Sequence, residues 1–210
     1  LLAEAVRWYP GLDTVILSDG VHADVPESVR LFRVPEDVMA SISPMESPQG
    51  ALFLCRLPEK KTYAPTPGCL LLDGIQDPGN LGTILRTADA LDIPVTLLEG
   101  CADPYSPKTA RATMGAVFRR DVYQCTADEL CALLQKCGLP LYGTALRNDT
   151  VSLRDAELSR AAVAVGSEGR GLSAEILSKC EKTIKIPMSP RCESLNAAVA
   201  ASVVLWEMYR

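Results

Sequence analysis

Five short apolar runs of strand length, Cys69–Leu72, Val95–Leu98, Leu141–Thr144, Ala162–Val165 and Thr183–Ile186, place the tightest constraint on how this chain folds. A strand with one wet face alternates apolar and polar side chains, so runs that do not alternate suit strands buried on both faces, as in a parallel sheet. Helical patterns lie between and after them, at Leu81–Leu91, Lys108–Phe118, Ala127–Lys136, Ala174–Lys179 and Ser194–Tyr209. Strand alternating with helix predicts an α/β domain with a mostly parallel sheet. Its ligand chemistry belongs at the carboxyl ends of the strands.

Upstream, three prolines and a glycine without apolar periodicity over Leu57–Gly68 mark residues 59–68 as a linker. It divides a small α/β module, residues 1–58, from the larger domain, residues 69–210. In the small module Thr14–Leu17 and Ala51–Cys55 read as strands, and Leu2–Trp8 and Pro35–Ser41 as helices. The opening Leu1-Leu2-Ala3-Glu4 has no methionine and no basic-then-apolar leader, so a preceding segment is expected.

Composition narrows the chemistry. No apolar stretch approaches the roughly 20 residues of a membrane span. The eight cysteines form no C-x-x-C pair, and the single histidine, His22, has no ligand partner nearby, so no metal site is expected. Scattered thiols in a chain of this length read as small buried hydrophobes in a reducing cytoplasm. One histidine also leaves acid–base or electrostatic work to Arg, Lys, Glu, Asp or backbone dipoles. The net charge of −5 is unevenly placed: residues 1–58 hold eight acids and four bases, and the remainder is close to neutral. A basic footprint for nucleic acid would therefore be a local patch, such as Lys108, Arg111, Arg119 and Arg120.

Three polar loops, the first two glycine-bearing, each follow one of the strands. The first runs from Asp73 to Arg86. Asn80 is placed to cap the following helix, and Arg86 lies inside that helix's otherwise apolar pattern. The second, Gly166-Ser167-Glu168-Gly169-Arg170-Gly171, has the order G-x-x-G-x-G rather than G-x-G-x-x-G, and Glu168 stands where a pyrophosphate would sit. An adenosine ligand bearing a sulfonium cation meets no such conflict, and the glycines let backbone approach an adenine edge. The third runs from Ile186 to Asn196, with Ser194 as N-cap and Asn196 in the first helical turn. Each loop alone also has a plain structural reading: a capped helix with a solvated arginine, a tight turn, or a helix start with Met188 filling core.

Together and in this order, Asn80-x-Gly82-x-x-x-Arg86-x-Ala88-x-Ala90, then Gly166-Ser167-Glu168-Gly169-x-Gly171, then Ile186-Pro187-Met188 with Glu193-Ser194-Leu195-Asn196-Ala197-Ala198-Val199-Ala200, resemble the three motifs of the SpoU (TrmH) family of RNA ribose methyltransferases in the SPOUT superfamily. The similarity covers residues 69–210. It implies a C-terminal trefoil knot, which periodicity would not suggest because knots are nearly absent among folds. It also implies S-adenosylmethionine held in that knot, a homodimer, and RNA as substrate, with ribosomal RNA favoured and transfer RNA the alternative. By position Gly166, Ile186 and Leu195 match the cofactor-binding residues, with Thr144, Glu168 and Met188 as neighbours. Arg86 matches the arginine proposed to activate the ribose hydroxyl, and Asn80, Glu168, Ser194 and Asn196 match the polar residues around it. Residues 1–58 are similar in pattern to the family's small RNA-binding domain of ribosomal-protein-like fold, with its first strand absent.

The implied reaction is methylation of a ribose 2′-hydroxyl. Arginine is a poor base, because its guanidinium stays protonated throughout the ordinary pH range. Arg86 is better suited to hold a neighbouring phosphate and stabilise developing alkoxide charge. Apolar positions of the last helix, Val203, Leu205 and Trp206, exceed what one sheet face can bury, in keeping with a dimer. Two other functions compete: a nucleotide-cofactor enzyme of ordinary doubly wound fold, which the glycine order and Glu168 oppose, and a noncatalytic RNA-binding relative.

Overall fold

The computed structural model describes residues 1–59, 65–147 and 150–210. Residues 60–64 of the expected linker lie outside the described residues. The chain divides into two compact units, Leu1–Glu59 and Lys60–Arg210.

The first unit contains α1 (Leu2–Trp8), β1 (Leu12–Ser18), β2 (Arg30–Val34), α2 (Glu36–Ile42) and β3 (Ala51–Cys55). Its sheet has the order β2-β1-β3, with β1 parallel to β2 and antiparallel to β3. Helix α1 packs on β3 and α2 on β1, and Ala5, Met39, Val15 and Leu17 are buried. Strand β2 was not anticipated. Arg-Leu-Phe-Arg-Val offers no continuous apolar run because β2 is an edge, exposed over its first four residues.

Asp13 on β1 ties the two flanking strands together, accepting from Arg30 of β2 and, at 3.2 Å, from Arg56 just beyond β3. The Arg30 and Thr14 hydrogen bonds hold its carboxyl down from the usual 3.8 to about 2. A depressed carboxyl contributes stability that is complete above its unfolded value and lost as pH falls through the folded one. Acid unfolding of this unit, followed by Trp8 fluorescence, is therefore expected to have a component between pH 3.8 and about 2. Asp13→Asn should remove that component and lower stability at neutral pH.

The second unit contains β4 (Leu70–Asp73), α3 (Pro78–Ala90), β5 (Val95–Leu98), α4 (Pro107–Ala112), α5 (Ala116–Arg119), β6 (Tyr123–Cys125), α6 (Ala127–Cys137), β7 (Leu141–Thr144), β8 (Val151–Ser152), β9 (Ala162–Gly166), α7 (Ala174–Lys179), β10 (Lys182–Lys185) and α8 (Ala197–Tyr209). The sheet order is β6-β5-β4-β9-β7-β10-β8, and every pairing among the described residues is parallel. Strand β4 is buried along its whole length, as its unbroken leucines require. Leu70 and Leu72 join a core with Ile84 of α3 and Val204 and Leu205 of α8. Leu71 faces the other way, into a core with Leu130 and Leu134 of α6 and Ile176 of α7. The edge strands β6 and β8, of three and two residues, are too short to have been read from pattern.

Three helix boundaries differ from expectation. The helix expected over Lys108–Phe118 is broken into α4 and α5, because Met114 and Gly115 adopt left-handed backbone, with φ of 50° and 98°. The cap of α3 is Asp77, which accepts from the Asn80 N–H at 2.8 Å, with Pro78 pre-set at the first helical position. The cap of α8 is Asn196, not Ser194. Its carbonyl oxygen accepts from the N–H groups of Ala198 and Val199, at 2.9 and 3.3 Å, so the helix begins at Ala197.

Candidate active site

The adjacency of β4, β9, β7 and β10 brings the three polar loops to one edge of the sheet. In the ladder Asp73 lies opposite Gly166, and Thr144 lies opposite Ile184, two residues before Ile186. Chain order alone would keep these segments far apart. The parallel register aligns their carboxyl ends.

Capping has a direct consequence for the site. With Asp77 occupying the cap of α3, the Asn80 side chain is free to reach across to Glu168, to which it donates through Nδ2. The same Glu168 Oε1 accepts from Asn196 Nδ2 at 3.3 Å and from the Ala197 N–H at 3.2 Å. Asn196 Nδ2 also donates to Asn80 Oδ1 at 3.0 Å. Glu168 thus holds an anionic group at the N-terminal end of α8, where backbone N–H groups favour negative charge. Asn80, Glu168 and Asn196 form one closed network, one residue from each loop.

The loop carrying Glu168 is shaped by its glycines. Ser167 and Gly171 exchange backbone hydrogen bonds of 3.1 and 2.9 Å. A Cβ on Gly166 would overlap the carbonyl of Gly171 and the amide nitrogen of Leu172. Beneath the loop Asp73, only 8% exposed, accepts from the Ser173 N–H at 2.7 Å and so fixes the end of β4 to the start of α7. Asp73 carried no expectation, although a carboxylate closing an all-leucine strand was its signal.

The remaining expected residues are placed less uniformly. Thr144, Ile186 and Leu195 are half-buried, and Met188 is exposed. Leu146, 75% exposed just beyond β7, was not anticipated as part of this edge. Two expected catalytic residues stay outside the network. Ser194 is exposed and its hydroxyl has no hydrogen bond among the described residues; its carbonyl accepts from Cys192 Sγ at 3.3 Å. Arg86 is exposed on α3, without a hydrogen bond or ion pair among the described residues. Six residues separate it from Asn80, or about 9 Å along the helix axis.

Other chemistries find little here. Among the described residues no group of three or more His, Cys, Asp or Glu side chains could hold a metal ion. Cys101 approaches the loop edge, accepting from the Ile75 N–H at 3.4 Å and donating to the Leu72 carbonyl at 3.3 Å, but burial pushes its thiol up. Burial likewise raises Cys55, Cys125 and Cys180 to about 11, leaving them as neutral packing groups. Among the described residues no helix is long and apolar enough to cross a membrane.

An all-parallel α/β sheet with three polar loops converging on one carboxylate defines a class of ligand-binding α/β protein. The model of the SpoU rRNA Methylase family matches residues 68–206, and the chain belongs to that family. It is 33% identical, over 99% of its length and 85% of the relative's, to the 23S rRNA (guanosine(2553)-2'-O)-methyltransferase RlmP of Bacillus subtilis (strain 168). Among solved structures it resembles a TrmH-family protein from Porphyromonas gingivalis, with a TM-score of 0.85 and 33% identity over 99% of this chain and 86% of that one. It also resembles an AdoMet-bound rRNA methyltransferase from Sinorhizobium meliloti, with a TM-score of 0.80 and 28% identity over 98% and 82% of the two chains.

Proposed function

We propose that this chain is an S-adenosylmethionine-dependent RNA methyltransferase that modifies a ribose 2′-hydroxyl, in ribosomal RNA. The observation that carries the reading is the network of Asn80, Glu168 and Asn196, which joins the three family motifs at the carboxyl edge of the sheet. The residues present fit an adenosine-bearing sulfonium. Leu146 and Met188 offer exposed apolar surface in the segments that follow β7 and β10, the second of which also carries the half-buried Ile186 and Leu195, and Glu168 of the glycine loop supplies a carboxylate. Gly166, Ile186 and Leu195, with Thr144, Glu168 and Met188, would hold the cofactor. When bound, it supplies an electrophilic methyl group.

The chain's own residues then have separable tasks. Arg86, exposed and uncommitted, binds a phosphate next to the target ribose and stabilises the hydroxyl oxygen as charge develops on it. Asn80 and Asn196, oriented by Glu168, keep the starts of α3 and α8 in register so that the loops hold one geometry. Ser194 lies free to reach the RNA. The small unit Leu1–Glu59 contributes to choosing the RNA through unpaired bases and shape, since ribose is common to every nucleotide.

Two architectural readings accompany this one. The order β9-β7-β10-β8 supports a trefoil knot: after β7 the chain forms the edge strand β8, goes back to β9 on the far side of β7, and then inserts β10 between β7 and β8. A groove of about 520 Å³ between α3 and α8 supports a homodimer. It is lined by Thr83, Val199, Ser202, Val203 and Trp206 beside Asn80 and Asn196, and Val199 and Trp206 are 50% and 56% exposed. Leu205, expected among the surplus apolar residues, is fully buried in the core instead, because it falls on the face of α8 that meets the sheet. Light scattering at micromolar concentration should return twice the chain mass, and Trp206→Glu should return the monomer. Free thiols accord with a reducing cytoplasm.

Transfer of labelled methyl from S-adenosylmethionine into total RNA from cells lacking this activity, followed by mapping of the nucleotide, tests the function. Label at a single ribose of ribosomal RNA is the expected result. Label on a base, or none, would exclude the reading.

A further inference from the structure

Among the described residues two non-glycine residues have left-handed backbone, Asp92 and Met114. Asp92, with φ of 59°, follows the C-cap of α3, where a short polar residue is well tolerated, and it pairs with Arg120. Met114 has no such account. It is a long apolar residue with φ of 50°, and it is 58% exposed, so neither local hydrogen bonding of its side chain nor burial offsets the strained conformation.

The surrounding turn holds it there. Thr113 is fully buried; its hydroxyl donates to the Ala110 carbonyl at 2.7 Å and accepts from the Gly115 N–H at 3.3 Å. The Met114 N–H donates to the Arg111 carbonyl at 3.1 Å. The turn also has a defined place. Gly82, Arg86 and Asp89 fall on one stripe of α3 by helical spacing. Gly82 lies so close to α4 that a Cβ there would meet the Thr109 carbonyl oxygen at 2.9 Å. Further along, Asp89 pairs with Arg119 and Arg120 at the end of α5. The segment joining α4 to α5 therefore passes along α3 at the level of Arg86, with Met114 at its exposed tip.

We propose that Met114 is a positioning residue for the RNA, its thioether resting against the face of an unpaired base beside the ribose that Arg86 serves. This rests on the functional reading above. A thioether is flexible and polarisable, and it makes favourable contacts with an aromatic ring without reading hydrogen-bonding edges. It steadies a nucleotide without selecting which base that nucleotide carries. The residues assigned to the cofactor belong to the ends of β7 and β9 and to the segments that follow β9 and β10, and none of them to this turn, so cofactor binding is expected to be independent of it.

Met114→Gly and Met114→Asn both accept left-handed backbone and remove the apolar contact. Met114→Leu keeps the bulk. With unmodified ribosomal RNA as substrate, the glycine and asparagine variants should raise KM and lower kcat/KM by roughly three- to ten-fold, with the leucine variant within about two-fold of the parent. Their affinity for S-adenosylhomocysteine should be unchanged, and their Tm unchanged or slightly raised. Parental KM in the glycine and asparagine variants overturns the proposal. So does a fall in their Tm, which would make Met114 a structural residue, or dissociation of the protein on light scattering, which would assign it to an interface between copies. Absence of methyl transfer by the parent chain would instead overturn the functional reading itself.

Discussion

Arg86→Ala is expected to abolish most turnover while leaving S-adenosylhomocysteine affinity within a few-fold of the parent. The side chain is exposed and contributes nothing to the Asn80–Glu168–Asn196 network, so its loss should not disturb the fold or the assigned cofactor contacts. In the proposed mechanism its work is confined to the reacting oxygen and the adjacent phosphate. Losing a charge-assisted contact to a developing oxyanion costs about 2.7–4 kcal/mol, or on the order of a hundred- to a thousand-fold in rate. Arg86→Lys keeps the charge without the planar fork and should also be badly impaired if phosphate geometry matters. Single-turnover methyl transfer, with calorimetric titration of cofactor alongside, separates these effects. Parental turnover in the alanine variant would make the arginine an ordinary solvated charge and remove the mechanism with it.

Gly166→Ala should fail for the opposite reason, through packing. Its Cβ would overlap the main chain of Gly171 and Leu172, and neither can swing aside as a flexible side chain would. Relief requires opening the Ser167–Gly171 bridge, which displaces Glu168 and thereby releases Asn80, Asn196 and the N–H of Ala197. Overpacking of this kind costs about 1–3 kcal/mol or more. A drop in melting temperature together with loss of measurable cofactor binding is expected. Gly169→Ala is the matched control, because a Cβ at Gly169 meets nothing within 4 Å. Equal behaviour of the two variants would contradict this account of the loop.

Much of this molecule was legible before its coordinates. Unbroken apolar strands such as Leu70–Leu72 announced a sheet buried on both faces, because burial on two sides leaves no polar position to alternate. Asn80, Glu168 and Asn196 could be named from motif spacing, and the structure brings them together. Their hydrogen bonds could not be named, since those depend on which residue captures each helix cap. Asp77 and Asn196 took the caps of α3 and α8, and that choice freed Asn80 to bind Glu168. Strand β2 stayed hidden because an exposed edge carries charges where a core strand carries leucines. The break at Met114 stayed hidden because left-handed backbone at a methionine has no compositional mark.

Placing β10 inside the sheet also orders events in time. Asn80 and Asn196 are bonded across 116 residues of chain, and Ile186 and Leu195 belong to the last segment synthesised before α8. Contacts of such long range form late, because the intervening loop must close before they reward it. A ribosome-bound chain that has emerged only as far as β9 already owns most of the sheet, yet it has neither the Asn196 amide nor the Ile186 wall. On the proposed assignment of Ile186 and Leu195 to the cofactor, competence to bind it is withheld until the segment after β10 has emerged. The same assignment makes a nascent chain that lacks this segment unable to hold the methyl donor.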